Sequence, residues 1–168
     1  MTDDGRKSAL RLTFSGVSIH STPSDHYVDG DWRTIQFAPL WVFESVAASD
    51  KKVDEKERAA FVASLASPPT SPLTEYLFGE VGGKLAAIEA ERAKDKREPA
   101  RGLGEVEALL QRYPDVSDAD LFRRALVSLG QKVASASGGG LFGLGSKVSD
   151  AEAEAIERLR KLFRVTGP

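Results

Sequence analysis

No cysteine occurs among the 168 residues, which rules out a disulfide framework, a thiolate metal site and thiol catalysis, and gives no argument for secretion. Histidine is scarce as well: His20 and His26 are the two imidazoles, both close to Asp25, Asp29 and Asp31. A His/Asp metal site could be drawn from that group, but two histidines in a polar loop more often face solvent. No window approaches the ~18 apolar residues needed to span a bilayer. The opening MTDDGRKSAL lacks the charged start and apolar run of a signal peptide. Together these absences set the expectation of a cytoplasmic protein.

Charge of one sign is missing too. The 23 Lys+Arg and 25 Asp+Glu leave a formal net charge of −2. Even the densest charged stretch, residues 89–98 (EAERAKDKRE), mixes both signs and reads as a solvated helix end. Nucleic acid needs a clustered basic face, so no nucleic-acid partner is expected.

What remains is the composition of a folded domain. The hydrophobic fraction is 41% and the charged fraction 29%, ordinary for a globular protein. A chain of this length can bury roughly 70% of its unfolded surface and needs no staples.

Residues 10–19 (LRLTFSGVSI) alternate in polarity, which predicts an extended arm. Residues 20–33 follow as a loop rich in Ser, Pro, Asp and Gly. Helical periodicity then takes over. Leu40, Trp41, Val42, Phe43, Val46 and Ala47 predict a buried helix over 38–49, with Pro39 in its first turn, where a missing N–H costs nothing. Trp32 and Trp41 are expected to pack in the core or at its rim.

Asp54 and Glu57 have the capping-box spacing of a second helix. Phe61, Val62 and Leu65 form its inner face, and Ser67-Pro68-Pro69 stops it. Ser71 and Pro72 open a third helix whose stripe is Leu73, Leu77, Val81, Leu85 and Ile88. Gly82-Gly83 weakens its middle, and a charged tail runs to Arg97. Residues 98–104 (EPARGLG) read as a linker before a short helix over 105–113. Ser117 and Asp120 open the fifth helix, with Leu121, Phe122, Ala125, Leu126, Leu129 and Val133 facing inward. Ser149 and Glu152 repeat the capping box for the last helix, which carries Ile156, Leu159, Leu162 and Phe163.

Two stretches look alike. The first is Val46-Ala47-Ala48-Ser49-Asp50, then Lys52-Val53-Asp54 and Glu57. The second is Val133-Ala134-Ser135-Ala136-Ser137, then Lys147-Val148-Ser149 and Glu152. Each joins a buried helix to an amphipathic one through the same Lys-Val-cap-x-x-Glu entry, which suggests pseudo-symmetric helical hairpins.

Residues 37–61 (FAPLWVFESVAASDKKVDEKERAAF) resemble the TerB-like tellurite-resistance family, whose mark is a helix ending in Ala-Asp-Gly, a short apolar turn and an acidic helix start. Asp50 and Glu57 match its acidic positions, and Lys51 stands in place of the glycine. In the partial second copy, around 133–152, Glu152 is kept and Ser137 stands where the aspartate would be. The resemblance implies an all-helical fold, an acidic divalent-cation site, and association with stress response or membrane-linked protein complexes.

Two segments carry competing readings. Asp50, Asp54, Glu55 and Glu57 could supply the oxygen ligands that a hard cation wants, with Asp50, Asp54 and Glu57 as the candidate metal ligands. Yet Asp54 and Glu57 already have work as a helix cap, and the spacing is not that of an EF-hand. The glycine-rich stretch 138–147 (GGGLFGLGSK) has Ser146-Lys147 where a P-loop needs Lys-Ser/Thr, and it follows a helix, not a strand. No nucleotide site is expected there. Exposed, Leu141, Phe142 and Leu144 would form a sticky tip for a protein partner or a peripheral membrane contact. Folded back, they would close the end of the core, with glycines allowing the reversals.

The expectation is therefore an all-α, single-domain bundle of about six helices with repeated hairpins. An arm and loop (1–33) would precede a helical TerB-like domain (34–168). The leading functional reading is a non-enzymatic adaptor or stress-associated protein acting through protein–protein contacts, with no cofactor. The alternative is a divalent-metal-binding stress protein using the Asp50–Glu57 loop. A metal-dependent hydrolase ranks behind both, because it needs an open coordination position and a convergent pocket.

Overall fold

The computed structural model describes residues 21–47, 54–113, 118–137 and 148–166. They form a 3-10 turn, Pro23–His26, and seven helices: α1 (Asp29–Ala47), α2 (Glu55–Ala66), α3 (Pro72–Gly83), α4 (Leu85–Arg92), α5 (Pro99–Arg112), α6 (Ala119–Ser137) and α7 (Asp150–Phe163). No strand occurs among the described residues, in keeping with the all-α expectation. The proposed arm at 10–19 lies outside them. No described helix is long and apolar enough to cross a membrane.

The centre of the fold is α1, which packs against α5 and α6 and also touches α3, α4 and α7. It is covered on nearly every side, with Ile35, Ala38, Leu40, Trp41, Val42 and Val46 all buried. The helix starts at Asp29, well inside the stretch expected to be a loop, so the division at 33/34 falls within it. Asp29 and Asp31 suit the positive end of its dipole, and Trp32 and Ile35 extend the apolar surface toward the N-terminus. Pro39 consequently stands in the helix interior and not in a first turn. A proline there removes one backbone bond and costs about 3 kcal/mol. The dense burial of α1 on both sides of Pro39 offsets that cost.

The capping signals of α2, α3 and α7 behave as expected. Asp54 caps α2, Ser71 caps α3 with Pro72 at its first position, and Ser149 caps α7. Helix α2 stops at Ala66, ahead of the two prolines. Its inner face is Phe61 and Leu65; Val62 was expected beside them but is 44% exposed. At ~100° per residue, a neighbour of the buried Phe61 rotates out of a narrow stripe. Leu121, next to the buried Phe122, is 48% exposed for the same reason.

The third expected helix is two helices, which raises the count to seven. After Gly82-Gly83 the chain bends at Lys84 (φ −122°, ψ 23°) and restarts as α4. The expected linker at 98–104 is instead the start of α5, with Pro99 in the first turn. Gly102 is buried against the Trp41 ring, and a Cβ there would collide with the indole carbons Cδ2, Cε2 and Cζ2. Glycine here marks close approach of two helices, not a break. Before α6, Ser117 lies outside the described residues. Asp118 adopts a left-handed φ of 72° and accepts a bond from the Leu73 N–H at 3.4 Å, linking the starts of α6 and α3.

These packing relations separate two glycines of one helix. Gly102→Ala should lower stability by about 1–3 kcal/mol through overpacking against Trp41. Gly104, with nothing within 4 Å of an added Cβ, should gain about 0.5–1 kcal/mol as alanine. Urea-denaturation midpoints of the two variants would check this, and equal shifts would contradict the Trp41 contact.

Candidate functional site

The acidic helix start resolves into a cap. The Asp54 carboxylate accepts from the Lys56 N–H at 3.1 Å, and Glu57 Oε2 accepts from the Asp54 N–H at 2.8 Å. Glu57 is only 2% exposed. Both carboxylates thus satisfy orphan donors of the first turn. The third candidate ligand, Asp50, lies outside the described residues. Among those described, no group of three or more His, Asp or Glu is placed to hold a metal ion.

The start of α7 uses the same device. Ser149 Oγ accepts from the Glu152 N–H at 3.2 Å, and Glu152 Oε2 accepts from the Ser149 N–H at 2.7 Å. Glu152 is 1% exposed. Each proposed repeat therefore presents a capping box whose glutamate is buried. The partner-binding candidates Leu141, Phe142 and Leu144 lie outside the described residues, as does His20.

The remaining His/Asp candidates are not brought together. His26 bonds to Ser21 Oγ at 2.9 Å, Asp25 accepts from Thr22 N at 2.7 Å, and Asp31 accepts from the Tyr113 hydroxyl at 2.8 Å. The Thr22 backbone bond, helped by the Thr22 hydroxyl, holds the Asp25 carboxyl below its ordinary range. Asp31 belongs to the aromatic end of the bundle, where Tyr27 packs on Tyr113 at 4.7 Å and on Trp32 at 5.5 Å between ring centroids. Burial, with the charge of Asp118 added, pushes the Tyr27 hydroxyl up to about 12.

A cleft of about 840 Å³ lies where Glu44 and Ser45 of α1 and Arg158 of α7 meet the α4–α5 turn. Arg92 reaches into the turn and organises it. Its guanidinium pairs with Glu44 at 2.5 Å and donates to the carbonyls of Asp95 (2.8 Å) and Arg97 (3.3 Å). Arg97 holds both Asp95 oxygens, pairs with Glu105 and donates to Thr34 Oγ1 at 3.2 Å. Both guanidinium carbons lie over the Trp41 ring, Arg92 at 5.5 Å and Arg97 at 4.9 Å from its centroid. Each cation thus meets carboxylates and an aromatic face, arrangements that offset the cost of desolvating it.

The electrostatics follow that geometry. Hydrogen bonding from Arg97 holds the Asp95 carboxyl below its ordinary value. Burial pushes the Glu44 carboxyl up, against the opposing pull of Arg92, and the nearby charges of Glu98 and Asp95 add to the rise. A second ionic cluster joins α5 to α6. Arg123 donates to Glu107 at 2.7 and 3.1 Å and to Asp120 at 2.8 Å. Asp120, expected to serve a cap with Ser117, gives one carboxylate oxygen to this arginine, and the Ser117 half of that cap lies outside the described residues.

Sequence reasoning missed both clusters. Residues 89–98 read as a solvated helix end because charge runs carry no record of which aromatic lies beneath them. The pairing of Arg92 and Arg97 with Trp41 spans too much chain for any spacing rule to show. Compared with protein-family models, with curated proteins and with solved structures, the chain matches none.

Two expectations test these groups. The raised pKa of Glu44 means that its contribution to stability is full below the unfolded carboxylate value and is lost as pH rises through the folded one. Asp95, with a lowered pKa, contributes above the unfolded value and loses that contribution as pH falls. Between about pH 3 and about pH 6, around the ordinary carboxylate range, the Tm of wild type relative to Glu44→Gln should therefore fall with rising pH. Relative to Asp95→Asn it should rise. Slopes of the same sign would refute the assignment. Separately, Asp54→Ala and Ser149→Ala should each cost about 1 kcal/mol in chemical denaturation, as lost N-caps.

Proposed function

We propose that this chain is a non-enzymatic helical adaptor of the TerB-like kind that acts through protein–protein contacts. In this reading α1–α2 and α6–α7 are two copies of one hairpin. The observation that carries it is the recurrence of a capping box with a buried glutamate at the matching place in each copy, Asp54–Glu57 and Ser149–Glu152. There the residues of the family-like motif serve the scaffold, which leaves recognition to surfaces. The paired charges of the α4–α5 turn fit the same reading. An enzyme's cleft keeps groups poised for proton transfer or nucleophilic attack, whereas Arg92, Arg97, Glu44 and Asp95 bind one another.

The test uses the full chain as bait against lysate of its source cells, beside Phe142→Ser/Leu144→Ser. A partner that wild type retains and the variant loses, at unchanged Tm, supports the adaptor reading with the glycine-rich stretch as its contact. Equal recovery removes that stretch as the contact, and recovery of no specific partner counts against the adaptor. Thermal unfolding with a panel of divalent cations decides the alternative. A cation bound only by the folded state at 100 times its Kd adds about 2.7 kcal/mol. A cation-specific rise of that order, abolished in Asp50→Ala/Glu57→Ala, would replace the adaptor with a metal-binding stress protein. The adaptor reading expects no such rise, and a variant merely destabilised by loss of its cap.

A further inference from the structure

We draw no further inference here: the strongest candidate, the cleft where α1 and α7 meet the α4–α5 turn, is organised by guanidinium and carboxylate groups already partnered with one another, and the first turn of α5 that opens into it, though its N-cap makes no side-chain bond, is a helix N-terminus with no second observation pointing to a ligand.

Discussion

The indole of Trp41 is fully buried at the middle of the central helix, and three separate parts of the chain are shaped around it. Gly102 of α5 approaches so closely that no larger residue fits, while Arg92 and Arg97 place their guanidinium groups over the ring. The contact sets how near α5 lies to α1, and it gives the α4–α5 turn an apolar floor. Two arginines at such a place would be costly alone, since removing a cation from water costs several kcal/mol. Glu44, Asp95 and Glu105 answer the charge, and the turn carbonyls of Asp95 and Arg97 take further donors. The arrangement is not fully compensated. The indole Nε1 and the Arg92 Nε are buried with no hydrogen-bond partner among the described residues, and burial holds the Glu44 carboxyl above its ordinary value. Packing of the large ring is what makes these deficits tolerable.

Legibility in the sequence follows from the distance over which each signal acts. The caps at Asp54, Ser71 and Ser149 were readable because a side chain and the N–H it serves lie within three residues. The apolar stripes were readable for the same reason, except where adjacent residues share one, as Phe61 does with Val62 and Phe122 with Leu121. Proline and glycine misled because their local meaning was overridden by remote packing. Pro39 sits inside a helix that other contacts hold together. Gly102 reads as a breaker beside Gly104 until its partner Trp41 is known. Among the described residues, only at Gly82-Gly83 does glycine weakness end in an interruption, at Lys84.

The acidic motif illustrates a second limit. A capping box and a carboxylate cation site ask for the same residue types at nearly the same spacing, so Asp54 and Glu57 could be located but not assigned from sequence. The hydrogen bonds show the capping use, while Asp50, the third candidate ligand, lies outside the described residues. A hard cation demands several oxygens directed at one point, whereas Glu57 directs Oε2 to the Asp54 N–H. Glu152 does the same for Ser149 in a place where the chain offers serine, not aspartate, as the cap. That one geometry serves an aspartate at the start of α2 and a serine at the start of α7 indicates that hydrogen-bond acceptance, common to both side chains, is what such a cap requires. Negative charge is not needed for it.

The same distinction governs the cleft. A catalytic carboxylate is useful when its environment leaves it out of balance and a reacting group can complete it. Glu44 is out of balance, but the group that completes it is Arg92, which is itself fixed by two backbone carbonyls and by Trp41. Freeing Glu44 for chemistry would therefore mean dismantling the turn that joins α4 to α5. A surface built this way presents a fixed pattern of charge in a fixed shape, because each ion pair is tied to the core through one ring. Fixed shape and charge are what recognition by another macromolecule uses, and they cost little conformational entropy on binding when the side chains are already held. The buried indole thus orders the two arginines, and their order fixes the charge pattern of the surface above it.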